Sequence, residues 1–216
     1  MERFWDVVIR PLLEQVRPLR MLEIGAAEGR HTRKLLQYCA DSDAILHMVD
    51  PLPRFDADEW QQRHTGKFFA HRMTSLQALG SIGSFDVVLI DGDHNWYTVY
   101  HELLALQANC LAQSRPLPVI VCHDTAWPYA RRDLYYDPAS IPPQFRQPFR
   151  RAGVLPGQTE LVDSGALNCH LHHAQVEGGP RNGVRTAIDD FLAQASQPIS
   201  VVDLPVLYGL SILTPG

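Results

Sequence analysis

The sequence contains little lysine, no excess of positive charge and no long apolar run. Of its 19 basic residues, 17 are arginine and only Lys34 and Lys67 are lysine, which removes lysine from most catalytic roles. The net charge of −5 argues against a nucleic-acid binder, which normally carries a basic surface. No apolar run approaches the ~18 residues of a membrane span, and the first residues do not read as a signal peptide. We therefore expect neither a nucleic-acid partner nor a membrane partner.

Cysteine is also scarce, and its spacing is uninformative for metal binding. The four cysteines show no Cys-x-x-Cys motif and lie in apolar or mixed surroundings; they are Cys39, Cys110, Cys122 and Cys169. Such residues are typical of reduced core thiols, so the sequence indicates a cytoplasmic location. The 216 residues, 45% hydrophobic and 20% charged, can form one globular domain with a large core.

A glycine turn near the N-terminus is the most informative local feature. Met21 to Ile24 predict a buried strand, Gly25 ends it, and the polar run 28–32 begins a helix. A glycine turn between a strand and a helix is typical of a nucleotide-cofactor site, because free helix N–H groups face the ligand. The dinucleotide fingerprint needs Gly-x-Gly-x-x-Gly, whereas this turn has glycine only at Gly25 and Gly29. Glu23 suits instead a cofactor that carries positive charge, such as S-adenosylmethionine.

Apolar segments that alternate with helical patterns run through most of the chain. Further strands are predicted at 45–49, 67–71, 85–90 and 118–122, and continuous apolar strands of this kind form a parallel sheet covered on both faces. Two last strands, 199–202 and 206–213, are joined at Asp203-Leu204-Pro205, so they are expected to be antiparallel. The apolar stripe of residues 2–16 predicts an N-terminal helix, which could serve a homodimer.

One long segment breaks this alternation. Residues 126–180, here called the insertion, contain seven prolines and many aromatic residues. A connection of this length inside a compact domain is usually functional. We therefore predict a single domain over 1–216 with a lid or substrate-binding insertion at about 126–180.

Polar side chains stand at the predicted ends of the strands, where open parallel sheets bind ligands. Asp50 ends the second strand, 21 residues beyond Gly29, where an acidic group can accept both hydroxyls of a ribose. Thr74 and Ser75 follow the third strand and are expected to cap a helix. Asp91 follows the fourth strand, and His123 and Asp124 follow the fifth. Because these strands are expected to be neighbours, the last three residues could converge on one divalent cation, with Asp93 and His94 beside them.

The pattern Glu23-x-Gly25-x-x-x-Gly29 resembles the first motif of the class I S-adenosylmethionine-dependent methyltransferases. The predicted strand order and terminal hairpin resemble the same family across the chain apart from the insertion. The resemblance implies an α/β, Rossmann-like, seven-stranded sheet, mostly parallel with a C-terminal antiparallel strand and helices on both faces. The cofactor would be S-adenosyl-L-methionine. The residues expected to contact it are Glu23, Gly25, Ala26, Gly29, Thr32, Asp50, Thr74, Ser75 and Asp91.

The acidic strand ends resemble those of the metal-dependent O-methyltransferases of the catechol, caffeoyl and macrocin types. That group has an aspartate after the fourth strand, matched by Asp91, and an Asp-Asn or Asp-Asp pair after the fifth, matched by His123-Asp124. The catechol type places a lysine base three residues after the first aspartate, and His94 stands there. The resemblance implies O-methylation of a small molecule or saccharide, with Asp91, His94 and His123 catalytic. Asp91, His123 and Asp124 would hold Mg²⁺ or a similar ion.

Plainer interpretations remain open at each position. Asp50 could cap a turn before Pro51, His94 could cap the next helix, and His123-Asp124 could be a hydrogen-bond network that orders the insertion. His170, His172 and His173 are expected to be solvated rather than ligands. For the whole protein, the alternatives are a degenerate methyltransferase that acts as a scaffold, a metal-independent N- or O-methyltransferase, and a nucleotide-dependent oxidoreductase.

Overall fold

A seven-stranded sheet forms the centre of the molecule. The computed structural model describes residues 1–216. Five strands are parallel: β1 (Arg20–Ile24), β2 (Ile45–Val49), β3 (Phe68–His71), β4 (Val87–Ile90) and β5 (Val119–His123). Two more lie near the C-terminus: β9 (Ile199–Leu204) and β10 (Leu210–Pro215). The order is β3-β2-β1-β4-β5-β10-β9, and β10 runs antiparallel to both of its neighbours. The predicted fold class is confirmed.

Helices cover both faces of this sheet. They are α1 (Arg10–Val16), α2 (Arg30–Ala40), α3 (Ala57–Arg63), α4 (Ser75–Leu79), α5 (Trp96–Ala112) and α6 (Val184–Leu192). Side chains of α4, α5 and α6 form one buried core with one face of the sheet, whereas α2, α3 and the N-terminal segment form a second core on the other. No helix is both long enough and apolar enough to cross a membrane. Because β1 to β5 are parallel, the strand ends that carry polar residues all meet at one edge of this sheet, which helices cover on both faces.

The C-terminal hairpin differs in detail from the prediction. The predicted second strand began at residue 206, but residues 205–209 form the connection and β10 begins at Leu210. Leu207 and Tyr208 both have positive φ angles, of 51° and 74°, so they cannot continue an extended strand. The antiparallel pairing itself is as predicted.

The N-terminal segment begins with two short helical turns, Glu2–Phe4 and Trp5–Ile9, before α1. The apolar stripe expected from the sequence is present, but Phe4, Ile9 and Leu13 are buried in the core beneath α2. Val7 is 75% exposed. Most of the stripe is thus used inside the chain, and the homodimer stays a prediction.

The insertion is more ordered than its composition suggested. It contains a small antiparallel sheet, in the order β6-β8-β7, made of β6 (Leu134–Tyr135), β7 (Phe149–Arg151) and β8 (His172–Ala174). His172 and His173 were expected to be solvated, but they lie on β8, and His173 is completely buried against Tyr129. This part of the expectation is wrong because the segment forms a strand rather than a loop.

A buried aspartate fastens the insertion to the main domain. Asp133 Oδ1 accepts hydrogen bonds from the backbone nitrogens of Trp96 and Gly183, at 2.7 and 2.6 Å. Asp133 Oδ2 accepts a third from the Tyr135 hydroxyl at 2.7 Å. Trp96 is the first residue of α5 and Gly183 precedes α6, so one carboxylate satisfies the N-termini of two helices. The base of the insertion is therefore fixed to both.

We predict that hydrogen exchange will divide the insertion into a fixed base and a mobile outer part. The amide of Leu134 bonds to the carbonyl of His94 and that of Ala174 bonds to the carbonyl of Asp133, so both should exchange slowly without ligand. Residues 136–147, outside this base, should exchange faster and gain protection when cofactor and acceptor are both bound. Mass-spectrometric exchange would measure this. Full protection of 136–147 in the free protein would make the insertion a structural cover.

Candidate active site

Four side chains meet where β4 and β5 end; Asp91, His94, His123 and Asp124 are here called the acid–imidazole cluster. Nε2 of His94 lies 2.6 Å from Asp124 Oδ2. Nδ1 of His123 lies 2.8 Å from the same oxygen and 3.1 Å from Asp91 Oδ1. The amino nitrogen of Met1 lies 2.8 Å from Asp91 Oδ2. The side chains that the sequence placed at two neighbouring strand ends are thus in direct contact.

The mutual contacts decide the charges within the cluster. Burial alone would lower the pKa of His123, but Asp124 and Asp91 raise it to about 9. Burial opposes the charge on His94 in the same way, and Asp124 nevertheless raises its pKa above the ordinary value. Burial would raise the pKa values of Asp91 and Asp124, but both lie below the usual range, because His123 and the N-terminal amino group lower that of Asp91 and the two imidazoles lower that of Asp124. The cluster therefore consists of two carboxylates, each balanced by imidazole.

The backbone at Asp124 is in a left-handed conformation, with a φ of 59°. Aspartate and asparagine tolerate this region better than other side chains that have a Cβ. Such a conformation at a strand end turns the side chain of Asp124 back towards His94 and His123. Non-glycine residues with unusual φ angles are enriched at functional sites.

Two tyrosines from the insertion complete the surroundings of His94. The ring centroids of Tyr129 and Tyr136 lie 5.3 and 5.8 Å from that of His94, and both contacts are edge-to-face. Tyr129 is buried, whereas Tyr136 is 53% exposed. Burial by surrounding protein, with the three nearby aspartates, raises the pKa of Tyr136. Sequence reasoning missed both residues, and only the aromatic content of the insertion pointed to them.

The donor set of Asp91, His123 and Asp124 fits a divalent cation. One ligand atom from each of the three lies within 4.8 Å of the others. Both imidazoles contact Oδ2 of Asp124, and neither contacts Oδ1. Two carboxylates with one imidazole suit Mg²⁺, Mn²⁺ or Zn²⁺. The three predicted metal ligands are therefore brought together, while His123 Nδ1 contacts both carboxylates and the amino nitrogen of Met1 contacts Asp91.

The glycine turn after β1 is shaped by the protein itself. Gly25 has a φ of +85°, and a Cβ there would lie 2.4 Å from the carbonyl oxygen of Asp91. Gly29 has a φ of +72°, and a Cβ there would lie within 3.0 Å of the side chains of Phe55 and Trp60. The sequence predicts that the backbone approaches a ligand at these glycines. The structure gives them a second reason, because Gly25 lets the β1 turn contact the loop of Asp91.

Glu23 is buried and has protein partners for both oxygens. Its Oε1 lies 2.8 Å from Nδ1 of His31, and its Oε2 accepts a hydrogen bond of 2.6 Å from the Thr32 hydroxyl. Thr32 has no exposed surface. The carboxylate thus fastens the first turn of α2 to the end of β1. A direct contact of Glu23 or Thr32 with the cofactor stays a prediction.

Asp50 ties the end of β2 to the glycine turn. Its Oδ2 accepts hydrogen bonds from the backbone nitrogens of Ala26 and Ala27, at 2.9 and 3.0 Å, and its Oδ1 accepts one from Leu52 at 2.8 Å. The turn-capping interpretation of Asp50 is therefore confirmed, and its contact with the cofactor stays a prediction. A carboxylate has about four acceptor sites, so a further acceptor site is left for a ribose hydroxyl.

We predict that Asp50→Ala weakens S-adenosylhomocysteine binding by about 2 kcal/mol or more, because a charged hydrogen-bond partner of the ligand and of the turn is lost. Calorimetry on the purified variant would measure this. Asp58→Ala is the matched control, since Asp58 is an exposed carboxylate of α3 that pairs with Arg72. Unchanged affinity in folded Asp50→Ala would refute the ribose assignment.

The residues after β3 behave as predicted for a helix start. The Thr74 hydroxyl accepts from the backbone nitrogen of Gln77, whose side chain returns to the backbone nitrogen of Thr74. This is a capping box. Ser75 is the first residue of α4 and is buried. The structure leaves the contact of Thr74 and Ser75 with the cofactor as a prediction.

A protein family described as a methyltransferase domain matches residues 22–125, which run from β1 through the end of β5. This match shows that residues 22–125, just under half of the chain, are similar to a methyltransferase domain, and the sheet order agrees with that similarity. Comparison with curated protein sequences finds no match.

Several solved methyltransferases have a similar fold. The S-adenosylhomocysteine-bound methyltransferase PaMTH1 of Podospora anserina is 17% identical, with a TM-score of 0.56 over 95% of this chain and 75% of that one. The O-methyltransferase TomG of Streptomyces achromogenes, involved in tomaymycin synthesis, is 15% identical, with a TM-score of 0.53 over 96% and 78%. The O-methyltransferase of Bacillus cereus is also 15% identical, with a TM-score of 0.53 over 96% and 79%. These similarities establish the fold.

Proposed function

We propose that the protein transfers the methyl group of S-adenosylmethionine to a hydroxyl oxygen of a small molecule or saccharide, with His94 as general base. The observation that carries this proposal is the 2.6 Å contact between His94 Nε2 and Asp124 Oδ2, beyond the carboxyl ends of β4 and β5. An imidazole held by a carboxylate is oriented and made more basic, as in other acid–imidazole pairs. The solved O-methyltransferases of similar fold also support an oxygen acceptor.

The route of the acceptor's proton depends on which ring nitrogen of His94 is free to accept it. If His94 donates Nε2–H to Asp124, then Nδ1 carries the lone pair, and Nδ1 has no hydrogen-bond partner in the protein. As the acceptor oxygen attacks the sulfonium methyl, its proton would pass to Nδ1, and the C–S bond would break in line. Nδ1 of His94 is covered by protein. The acceptor would therefore reach it on the side of Tyr136, which is half-exposed.

A divalent cation held by Asp91, His123 and Asp124 would assist this reaction. When bound, such a cation lowers the pKa of a hydroxyl that it contacts. Asp124 would then serve both the cation and His94, which it already contacts through Oδ2. Asp91, which is 23% exposed at its side chain, would face the acceptor.

A second candidate is a metal-independent transfer, and one observation favours it. His123 Nδ1 already joins Asp91 to Asp124, so the cluster is charge-balanced by its own imidazoles. In that case the pair His94–Asp124 alone would move the proton. The scaffold alternative is less favoured, because a scaffold gains nothing from buried charges that cost free energy to desolvate.

A screen of phenolic, saccharide and amine acceptors tests the proposal, with S-adenosylhomocysteine formation as the readout and with or without chelator. Turnover of hydroxyl compounds that chelator abolishes and Mg²⁺ restores would support the metal-assisted version. Turnover unchanged by chelation would support the metal-independent version, and methylation of amines alone would refute O-methylation. We also propose a cytoplasmic location, since none of the four cysteines is paired and three of them are buried.

A further inference from the structure

The connection between β9 and β10, residues 205–209, is here called the hairpin loop, and it carries exposed apolar side chains. Val206, Leu207 and Tyr208 follow one another directly, and they are 58%, 44% and 41% exposed. Single exposed apolar residues are normal on a protein surface, but three in a row on one loop form a patch, and such patches mark binding surfaces. The proposed reaction assigns no role to this patch.

The backbone of the hairpin loop is in an unfavourable conformation for the residues that it contains. The amide of Gly209 donates a hydrogen bond of 2.8 Å to the carbonyl of Val206, and the two residues between them, Leu207 and Tyr208, have φ angles of 51° and 74°. Positive φ at both central positions is the pattern of a type I′ turn, which strongly prefers asparagine and glycine there. Leucine and tyrosine cost conformational free energy at such positions, and strained residues cluster at functional sites. A function that needs an apolar surface accounts for this choice of residues.

The hairpin loop lies next to the acid–imidazole cluster. Leu210, the first residue of β10, pairs with His123, the last residue of β5. Just beyond this pair, the amide of Ala126 donates a hydrogen bond of 2.8 Å to the carbonyl of Tyr208. Ala126 follows Asp124 by two residues and is the first residue of the insertion. The patch is therefore at the same edge of the sheet as the cluster, on the side of β5 away from β4.

The insertion borders the same cluster from the side of β4, where Tyr136 contacts the ring of His94. The cluster thus lies between a half-exposed tyrosine of the insertion and the exposed apolar residues of the hairpin loop. All five residues of the loop are uncharged. Ligand sites of this kind combine apolar walls with a few polar groups that fix the orientation of the ligand.

We propose that the hairpin loop binds an apolar part of the methyl acceptor, so that Leu207 and Tyr208 determine which hydroxyl compounds the protein accepts. The acceptor would then carry an aromatic or aliphatic part beside its reactive hydroxyl, because an uncharged apolar loop offers little to a phosphate or a bare saccharide. This inference rests on the proposed function, since it takes the acceptor site to be at the acid–imidazole cluster.

The double variant Leu207→Asn/Tyr208→Gly tests the proposal, because it removes both apolar side chains and introduces the residues that a type I′ turn prefers. The probes are phenol, para-ethylphenol and para-butylphenol, and calorimetry would measure their binding to protein saturated with S-adenosylhomocysteine. Wild-type affinity should rise roughly three- to fourfold for each methylene group that is buried. The double variant should bind para-butylphenol about tenfold more weakly or worse, while its affinity for S-adenosylhomocysteine stays at the wild-type value.

Thermal unfolding separates this role from a structural one. The double variant should unfold at the same temperature as the wild type or higher, because the strain of the turn is relieved. Ser114→Gly is the matched control, since Ser114 is an exposed residue with a φ of 52° that follows α5, at the amino ends of the strands. This control should keep wild-type binding of all three phenols. If the double variant does not fold, the single variants Leu207→Asn and Tyr208→Asn provide the same comparison.

Three results would overturn the proposal. Equal binding of the phenols by the wild type and the double variant would show that the loop does not contact the acceptor, even if the acceptor screen upholds O-methylation. Failure of every phenol to bind the wild type would exclude an apolar acceptor site. A changed oligomeric state of the double variant in sedimentation, with unchanged phenol binding, would assign the patch to a protein contact. Graded phenol binding that the double variant loses, without turnover of any hydroxyl compound, would instead uphold the role of the loop and refute O-methylation.

Discussion

His94→Ala is expected to lower kcat by about 10²–10⁴-fold, which is the usual contribution of a positioned general base. The reason is the geometry of the acid–imidazole cluster, in which Asp124 holds Nε2 of His94 and leaves Nδ1 to receive a proton. Steady-state assays with an acceptor from the screen would measure kcat, and calorimetry should show nearly unchanged binding of S-adenosylhomocysteine.

Two further variants separate the base role from packing. His94→Gln can still donate to Asp124 but cannot take up a proton at neutral pH, so it should lose activity as His94→Ala does. His101 is the matched control, because it is a half-buried histidine of α5, the helix that begins two residues after His94, and it contacts the carbonyl of Tyr97. His101→Ala should stay active. Full activity of His94→Gln would contradict the base assignment.

The pH profile gives the same test in another form. A base must be neutral to accept a proton, so activity should fall as the pH falls through the pKa of His94. Burial works against a charged His94, but Asp124 raises its pKa above the ordinary value. The acidic limb should therefore lie above about pH 6.5, the reference value for histidine. An identical limb in His94→Gln would show that another group titrates.

Asp124→Asn is expected to reduce turnover by a factor on the order of 10³ or more while cofactor affinity stays close to that of the wild type. Asp124 contacts both His94 and His123, so the variant leaves His94 without a charged partner and His123 with Asp91 alone. Asparagine tolerates the left-handed conformation at this position, which makes it a better test than alanine. Kinetics and calorimetry would measure the two effects separately.

Metal analysis of the same variant distinguishes the two versions of the reaction. In the metal-assisted version, wild-type protein should bind Mn²⁺ and Asp124→Asn should bind it more weakly. Wild-type activity that survives exhaustive chelation, with Asp124→Asn still inactive, would establish a metal-free acid–base network. A fully active Asp124→Asn would refute both versions.

The main sheet was predictable because its signals are local. Runs such as 87–90 and 119–122 are continuously apolar, and a strand buried on both faces requires that pattern. The polar residues that follow those runs then meet at one edge for topological reasons alone. This explains why Asp91, His123 and Asp124 were brought together as expected.

Other contacts depend on tertiary structure and leave little trace in the sequence. The small sheet of the insertion pairs Leu134 with His173, which is 39 residues away, across strands of only two and three residues. The contact of Tyr136 with His94 depends on that pairing. The buried acid Glu102 of α5 did leave a trace in the sequence, because a glutamate between Val99 and Leu106 interrupts the apolar face of that helix.

The attachment of the insertion through Asp133 has a consequence for how such enzymes diverge. Asp133 and Gly183 contact each other, so the 49 residues between them leave and re-enter the main domain at one place. Length changes and substitutions at positions of that excursion that do not pack on α5 or α6, as Phe145 does, need not disturb these helices, provided that the carboxylate remains. Under the proposed function, residues near the acceptor, such as Tyr136, can therefore evolve at a different rate from the strand ends of the sheet, where the cofactor is predicted to bind.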